Sequence, residues 1–407
     1  MGRLPRLRLR PFHAMRFDEA AVGDLGEVTS PPYDTMDRQM IGRLLDEHPR
    51  NIVRVVLPRL VGEPMQVGSP YLRAGQLLRR WRRQGVLRTD VEPGLYVYEY
   101  ADASTTVRGL VGALELRKRS AGLVLPHEDV IPDMVSDRLA LMVATRANLE
   151  PILLVYDGAG GTREVLDRAT AEEPLFAVDA PDGTRHRVWA ITDHVAIRAV
   201  NRSLAPQVAL IADGHHRHAS YQQLRRRHRS IGDGPGPWDR GLAMLIDQSE
   251  WPLRLSAIHR SVAELALTSV IEQARDAVYA VVDGAELGGA LPPTPTEAGE
   301  FVVADNGRWV RLRRSAPADS VSDAELLHES MLPGWEVTPD RLGYHHDVAQ
   351  TVHTAEQEAG VSVLMHPPSV DQVMTVARAG KVMPRKSTSF GPKPRTGLLM
   401  RSLDDEV

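Results

Sequence analysis

Hydrophobic and polar positions alternate in short blocks along the chain, and these blocks predict helices and strands in turn. Helical spacing of apolar residues predicts helices at 36–47, 72–84, 138–149, 194–204, 219–229, 323–331 and 370–379. Alternating or continuously apolar runs predict strands at 51–57, 95–100, 107–116, 152–156, 208–212, 242–246, 361–365 and 397–401. Because adjacent strand pairs are interspersed with helices, we expect an α/β (α+β) fold with a mixed sheet.

Composition predicts a domain boundary and a cellular location. The 407 residues are 43% hydrophobic and 25% charged, which is typical of a globular protein with room for two domains. A glycine- and proline-rich stretch at 284–295 predicts a division into two parts. Residues 1–283 are expected to form an α/β core that contains the segment 213–217, and residues 284–407 an α+β part whose loop 386–388 returns to that segment. No signal-peptide pattern and no apolar run of about 18 residues occurs, so we expect a cytoplasmic protein without membrane contact.

Charge and cysteine content exclude several classes of function. A net charge of −4 argues against nucleic acid as a partner, and the absence of cysteine excludes disulfides, thiolate catalysis and cysteine-ligated metals. Among 49 basic residues, the lysines are only Lys118, Lys381, Lys386 and Lys393. Because lysine is a compact point charge with three donors, its concentration in residues 381–393 predicts a binding segment.

The strongest chemical signal is Asp213-Gly214-His215-His216-Arg217, which follows an apolar strand and opens a helix. The N–H groups at a helix N-terminus attract anions, and Gly214 allows close approach to the backbone. Arg217 can donate to two phosphate oxygens, while His215 and His216 can bind phosphate or transfer protons. Asp213 is a candidate Mg²⁺ ligand. The sequence therefore predicts a phosphate site at this junction.

Two other interpretations of this junction stay open. Asp213 could serve only as a helix cap below surface histidines. Alternatively, His215, His216 and His218 are all potential ligands of a transition metal, although neighbouring helical residues point in different directions.

A second candidate lies in residues 383–393, where Lys386, Ser387, Thr388 and Lys393 combine cations with hydroxyl groups. Such a loop can clamp a phosphate, although its glycine spacing does not match a Walker A loop. The alternative is a solvated basic tail.

Two acids outside these motifs are candidate general bases. Asp34 follows Pro31-Pro32-Tyr33, and Glu128 follows Pro126-His127. Each sits in a polar loop, where a cap or a surface ion pair is the alternative role.

Taken together, the motifs resemble the domain-of-unknown-function family numbered 1015. They are Ser30-Pro31-Pro32-Tyr33-Asp34, Pro126-His127-Glu128 with Asp137-Arg138-Leu139, Ala212-Asp213-Gly214-His215-His216-Arg217, Met383-Pro384-Arg385-Lys386-Ser387-Thr388, and Pro392-Lys393 with Thr396-Gly397-Leu398. The element Asp213-Gly214-His215-His216-Arg217 also resembles that of the free serine kinases, which phosphorylate L-serine with a nucleotide. That resemblance implies a ParB/sulfiredoxin-like nucleotide-binding core with insertions.

Residue chemistry and resemblance together favour a nucleotide-dependent phosphotransferase, a kinase, acting on a small hydroxylated metabolite such as free serine. The expected cofactors are ATP or ADP with Mg²⁺. The candidate catalytic residues are Asp34, Glu128, His215, His216 and Arg217. The candidate nucleotide-binding residues are Asp213, Gly214, His215, Arg217, Lys386, Ser387, Thr388 and Lys393, and Asp213 is also the candidate metal ligand.

Two other functions use the same site. One is a phosphatase that acts on a phosphorylated small molecule, and the other is a non-enzymatic, ParB-like nucleotide-binding protein. The sequence leaves the acceptor, the nucleotide and the oligomeric state open.

Overall fold

The fold comes from a computed structural model in which residues 5–61, 69–275, 279–314 and 322–405 are described. The chain forms two compact units. The first unit contains Met1–Leu125, Val130–Leu253 and Pro392–Val407, and the second contains Pro126–Asp129 and Arg254–Gly391. Each unit therefore includes a segment that is distant in sequence from the rest of it.

Within the described residues, the first unit is built around a nine-stranded mixed sheet. Eight strands lie in the order Val124–Leu125, Ala209–Asp213, Ile152–Tyr156, Arg240–Asp247, Thr106–Glu115, Leu95–Ala101, Arg185–Ile191 and Phe176–Asp179. The ninth strand, Leu9–Arg10, pairs with Thr106–Glu115. Ala209–Asp213 is parallel to Val124–Leu125 and Arg240–Asp247 is parallel to Ile152–Tyr156, whereas the other pairings are antiparallel.

Helices and a smaller sheet complete the first unit. Its α-helices are Glu19–Val22, Leu25–Val28, Arg38–Glu47, Val53–Val56, Pro70–Arg83, Pro132–Thr145, Arg163–Thr170, His194–Leu204 and His215–Ser230. Short 3₁₀ turns occupy Arg119–Ala121 and Pro237–Asp239. The smaller sheet has the strand order Leu87–Thr89, Ala14–Phe17, Met400–Ser402 and Ala147–Asn148, so it joins both ends of the chain.

The second unit has its own sheet and its own core. Its strands lie in the order Tyr279–Glu286, Arg308–Arg314, Glu300–Ala304, Val361–Met365, His259–Val262 and Leu342–His345, and a separate pair joins Arg254–Ser256 to Ser389–Gly391. The helical segments are Leu267–Arg275, Asp323–Leu326, a π-helical turn at Leu327–Met331, Leu332–Gly334, Pro339–Arg341, Val348–Gln357 and Val370–Arg378. Phe301, Val303 and Val363 lie in a buried apolar cluster on this sheet.

The predicted mixed α/β architecture is confirmed, and so are most elements. Helix His194–Leu204 has the predicted bounds, and the Asp305-Asn306-Gly307 turn joins Glu300–Ala304 to Arg308–Arg314. The predicted strand at 51–57 is wrong, because Val53–Val56 forms a helical turn. Asn51 explains the difference, since its side-chain oxygen accepts the Val53 N–H at 3.0 Å and caps that turn. The ParB/sulfiredoxin-like core stays a prediction.

The predicted division after residue 283 falls inside the strand Tyr279–Glu286 of the second unit. This strand lies at the edge of its sheet, and glycines with positive φ follow it at Gly288 and Gly289. The composition of the stretch therefore reflects an edge strand and a turn.

Across the described ranges, every helix lacks either the length or the apolar character that crossing a bilayer requires.

Two helical glycines of the first unit offer a matched test of packing. A Cβ added at Gly75 would lie 2.1 Å from the carbonyl oxygen of Ala144, in the neighbouring helix, whereas one added at Gly42 would meet nothing within 4 Å. We expect Gly75→Ala to lower the free energy of unfolding by about 1–3 kcal/mol through overpacking. Gly42→Ala should instead raise it by about 0.5–1 kcal/mol, because alanine loses less backbone entropy. Urea unfolding followed by circular dichroism measures both, and equal effects would contradict this packing.

Candidate functional site

The phosphate site predicted from the sequence lies at a strand-to-helix junction of the first unit. The pairing of Ala209–Asp213 with Ile152–Tyr156 shifts register between Ile211 and Asp213, a bulge that re-aims the end of the strand. Gly214 then has a φ of 91°, a left-handed conformation that favours glycine. The helix His215–Ser230 starts at the next residue without a side-chain cap. The first N–H groups of a helix have no partner within the helix, so this junction has the geometry of an anion site.

Among the described residues of the first unit, five charged side chains form a continuous chain of ion pairs at this junction. Lys393 Nζ lies 2.6 Å from Asp34 Oδ2 and 2.7 Å from Asp213 Oδ1. Asp213 Oδ2 accepts a hydrogen bond from Arg217 Nη2, and Arg217 Nη1 lies 3.9 Å from Glu150 Oε2. Side-chain exposure falls along the chain, from 25% at Asp34 to 15% at Lys393, 14% at Asp213, 8% at Arg217 and 6% at Glu150. The chain therefore leads from the surface into the interior.

Lys393 reaches this position because its segment is anchored on both sides. Tyr100 donates its hydroxyl to the carbonyl of Pro392 at 2.8 Å. Ser30 and Thr396 exchange backbone hydrogen bonds of 3.1 and 2.8 Å, and the Thr396 hydroxyl donates to Glu150. The motif that contains Asp34 and the motif that contains Lys393 are thus brought together by a backbone pairing.

Arg217 is held in one orientation, with one donor left over. Its Nη1 donates to the carbonyl of Pro151 at 2.6 Å, and its guanidinium lies 5.8 Å from the ring centre of Tyr33. The same ring is 4.8 Å from the guanidinium of Arg138. Within the described residues, Arg217 Nε is buried and has no hydrogen-bond partner. A Cβ built on Gly214 would lie 3.1 Å from this atom, so the lack of a side chain at Gly214 leaves room for the Arg217 guanidinium.

A cleft of about 300 Å³ borders the buried end of the ion-pair chain. Arg138, Glu150 and Arg217 line it together with Asn148, whose Nδ2 also has no partner among the described residues. Buried donors without partners are uncommon in folded proteins, and an ordered water or a ligand oxygen can supply the missing partner.

Mutual interaction keeps the charged groups of the chain ionised. Burial alone would raise the pKa of Asp213, but the charges of Lys393 and Arg217 hold it well below its usual range. Burial alone would lower the pKa of Lys393, but the carboxylates of Asp213 and Asp34 raise it. With Glu150 included, three carboxylates face two cations, which gives the chain a formal net charge of −1.

The histidines of the junction are neutral rather than cationic. Burial lowers the pKa of His215 and of His218 to about 4. His216 accepts the backbone N–H of Ile131 through Nε2 at 3.0 Å, which fixes that nitrogen as unprotonated. In the free protein, His215 therefore offers hydrogen bonds instead of the positive charge and neutral-pH proton transfer expected from the sequence.

The geometry of the junction gives little support for metal binding by the protein alone. No group of three or more His, Asp or Glu side chains in the described ranges has an arrangement that could hold a metal ion. A transition-metal site made of His215, His216 and His218 has no support in this geometry. Mg²⁺ commonly binds one or two carboxylates together with substrate phosphates, so the assignment of Asp213 as its ligand stays a prediction.

The remaining candidate residues form a cluster in the second unit. Glu128 Oε1 accepts hydrogen bonds from the Ser387 N–H at 3.1 Å, the Thr388 N–H at 3.0 Å and the Thr388 hydroxyl at 2.8 Å. His127 Nε2 lies 2.7 Å from the same hydroxyl oxygen. Burial raises the pKa of Glu128, and these hydrogen bonds and Lys386 offset part of that effect. Lys386 is exposed and has a φ of 58°, which is rare for a residue with a side chain.

The predicted residues thus fall into two groups. The first unit contains Asp34, Asp213, Gly214, His215, His216, Arg217 and Lys393, and the second contains Glu128, Lys386, Ser387 and Thr388. Sequence reasoning missed Glu150 as the innermost acid of the ion-pair chain. A single glutamate between Leu149 and Pro151 gives no local signal of that role.

The neutral state of His215 predicts a pH dependence of stability. Its folded pKa of about 4 lies below its ordinary value of 6.5, so the unfolded chain binds more protons between these values. Stability is therefore lost as the pH falls through that range, and His215 should account for about 2 kcal/mol between pH 7 and pH 5. The free energy of unfolding of His215→Gln should therefore change less between the two pH values than that of the wild type. His194→Gln, at an exposed position, is the control. An unchanged slope in the His215 variant would contradict the prediction.

Several solved structures are similar to this chain at low identity. A free serine kinase variant in complex with ADP is 14% identical with a TM-score of 0.35, and the match covers 68% of this chain and 89% of that chain. SbnI with a C-terminal truncation, from Staphylococcus aureus, is 13% identical with a TM-score of 0.39, covering 69% and 85%. A conserved hypothetical protein from Pyrococcus furiosus is 15% identical with a TM-score of 0.35, covering 70% and 94%.

Comparison with curated proteins gave no match. The family described as "Protein of unknown function (DUF1015)" matches residues 9–334, which is most of the chain. The motifs that contain Asp34, Glu128 and Gly214 lie within the matched residues, whereas those at 383–393 lie beyond them. The chain therefore belongs to the DUF1015 family.

Proposed function

We propose that the protein binds the phosphate groups of ATP or ADP at the junction around Gly214 and transfers a phosphoryl group to a small hydroxylated metabolite. Free serine is the first candidate for the acceptor. The observation that carries the proposal is the buried Nε of Arg217, which has no partner in the described residues and lies close beside Gly214.

An oxygen that approaches Gly214 would meet three kinds of donor. The first-turn N–H groups of the helix His215–Ser230 supply the partial positive charge of a helix N-terminus. Arg217 Nε supplies a charge-assisted hydrogen bond, which contributes roughly 1.5–3 kcal/mol. Lys393 directs two of its three donors to Asp34 and Asp213, which leaves one for a phosphate oxygen.

The net charge of the ion-pair chain supports a role for Mg²⁺ in this proposal. A nucleotide would add negative charge to a group that already has one more carboxylate than cations. Asp213 would hold a divalent cation, which would compensate this excess, as in other phosphoryl-transfer sites. In that arrangement Mg²⁺ supplies charge neutralisation, while Arg217 and Lys393 orient the phosphate oxygens.

Asp34 is the best-placed general base in the first unit. Its side chain is the most exposed member of the ion-pair chain, and Lys393 engages its Oδ2, which leaves Oδ1 for an acceptor hydroxyl. Glu128 is the alternative base predicted from the sequence, and burial raises its pKa. A contribution of Lys386, Ser387 and Thr388 to phosphate binding stays a prediction.

Calorimetric titration with ATP, ADP, CTP and GTP, each with Mg²⁺, tests the phosphate site. We expect one nucleotide to bind the wild type, and Arg217→Lys to weaken that binding at least about tenfold, or about 1.4 kcal/mol. Lysine keeps the charge beside Asp213 and Glu150 but lacks the Nε donor. Alanine is unsuitable because removing one partner of a buried ion pair costs about 3–5 kcal/mol of stability.

The matched control is Arg229→Lys, on the same helix, where an exposed arginine pairs with Asp239 at 2.8 Å. That variant should bind nucleotide like the wild type. Failure of the wild type to bind any of the four nucleotides, or equal binding by Arg217→Lys, would overturn the proposal.

Measuring turnover distinguishes phosphoryl transfer from nucleotide binding without transfer. Asp34→Asn keeps a hydrogen-bond acceptor for Lys393 but is a much weaker base, so we expect near-normal nucleotide binding with at least about 100-fold slower phosphorylation of the acceptor. Mass spectrometry of the acceptor measures the product. Release of inorganic phosphate from a phosphorylated metabolite without nucleotide would favour the phosphatase. Nucleotide binding with no product from any hydroxylated acceptor would favour the non-enzymatic alternative.

A further inference from the structure

The second unit contains a cleft that shares Ser387 with the proposed phosphate-binding residues and is otherwise not used by the proposed function. Its volume is about 370 Å³, including the part open to solvent. Ile258, Met365 and Met383 form an apolar side, and the polar residues along it include Asp323, His366 and Gln372. This combination of a mostly apolar wall with a few convergent polar groups is typical of a small-molecule site.

One wall of the cleft is rigid. His366 follows the buried strand Val361–Met365 and precedes Pro367 and Pro368, both of which line the cleft. Proline fixes φ and has no N–H donor, so this wall offers a preformed, apolar surface. The helix Asp323–Leu326 continues directly into the π-helical turn Leu327–Met331, an irregularity that is frequent near functional sites.

Asp323 gives the cleft a carboxylate without a matching cation. Its Oδ1 accepts the backbone N–H of Gly299 at 2.8 Å. Within the described ranges it forms no ion pair, and no lysine or arginine lines the cleft. Burial raises its pKa more than the charges of His366 and Arg314 lower it. The charged form of Asp323 is therefore poorly compensated by the protein alone.

We propose that this cleft binds a small compound with a protonated amine, whose ammonium group lies beside Asp323 and whose carbon skeleton contacts Ile258, Met365 and the two prolines. An ammonium would supply the counter-charge that the half-buried carboxylate lacks. A neutral polyol would supply only hydrogen bonds, and an anion would face a like charge. The cleft shares Ser387 with the residues proposed for phosphate binding, but the charge preference argued here rests on Asp323, which the proposed function does not use.

An isosteric series tests the charge preference directly. 3-Amino-1,2-propanediol, glycerol and glycerate share a three-carbon skeleton and differ in charge, and saturation-transfer NMR measures the binding of each at neutral pH without nucleotide. We expect the amine to bind at least tenfold more tightly than glycerol, and glycerate not to bind. Asp323→Asn keeps the acceptor for Gly299 and should reduce amine binding at least tenfold.

Asp305→Asn is the matched control, because Asp305 caps an exposed turn of the same unit through the Gly307 and Arg308 N–H groups. This variant should bind the amine like the wild type. Glycerol or glycerate binding as tightly as the amine, no binding of the amine, or an unchanged affinity in a folded Asp323→Asn would each overturn the inference. If Asp323→Asn does not fold, the binding of the three compounds to the wild type tests the inference without it. Because no nucleotide is present, a negative result leaves the proposed phosphate site untouched.

Discussion

The first unit depends on one chain of ion pairs, which runs from Asp34 through Lys393, Asp213 and Arg217 to Glu150. Charges removed from water are costly unless each has a partner of opposite sign, and here each member satisfies its neighbours. Asp34 and Lys393 lie 359 positions apart in the sequence, so their pairing requires the two ends of the chain to fold together. The joint packing of remote segments in the first unit follows from this requirement.

The same constraint shapes the chemistry of the junction. Arg217 is fixed by Asp213, by the carbonyl of Pro151 and by the ring of Tyr33, so its orientation does not have to be acquired when a ligand binds. Such preorganisation lowers the entropic cost of recognition. Burial simultaneously keeps His215 neutral. The positive charge available to an anion therefore comes from Arg217, Lys393 and the helix N-terminus.

Two half-buried carboxylates of the second unit are compensated in different ways. Glu128 is surrounded by N–H and hydroxyl donors from Ser387 and Thr388, which stabilise the charge within the protein. Asp323 has one backbone donor and faces a cleft. Glu128 therefore organises a loop, whereas Asp323 is free to pair with an external cation.

The sequence by itself determined the regular elements and the local shape of the junction. Periodicity predicted helix His194–Leu204, and the succession of strand, glycine and helix predicted the geometry around Gly214, because these depend on residues close in sequence. It failed at 51–57, where a local cap from Asn51 prevailed over strand propensity. Only the tertiary structure decided that Lys393 pairs with Asp213 while Lys386, in the same segment, belongs to the other unit. It also revealed Glu150 and the neutral state of His215. Long-range charge pairing and burial depend on the complete packed fold, which local residue patterns do not encode.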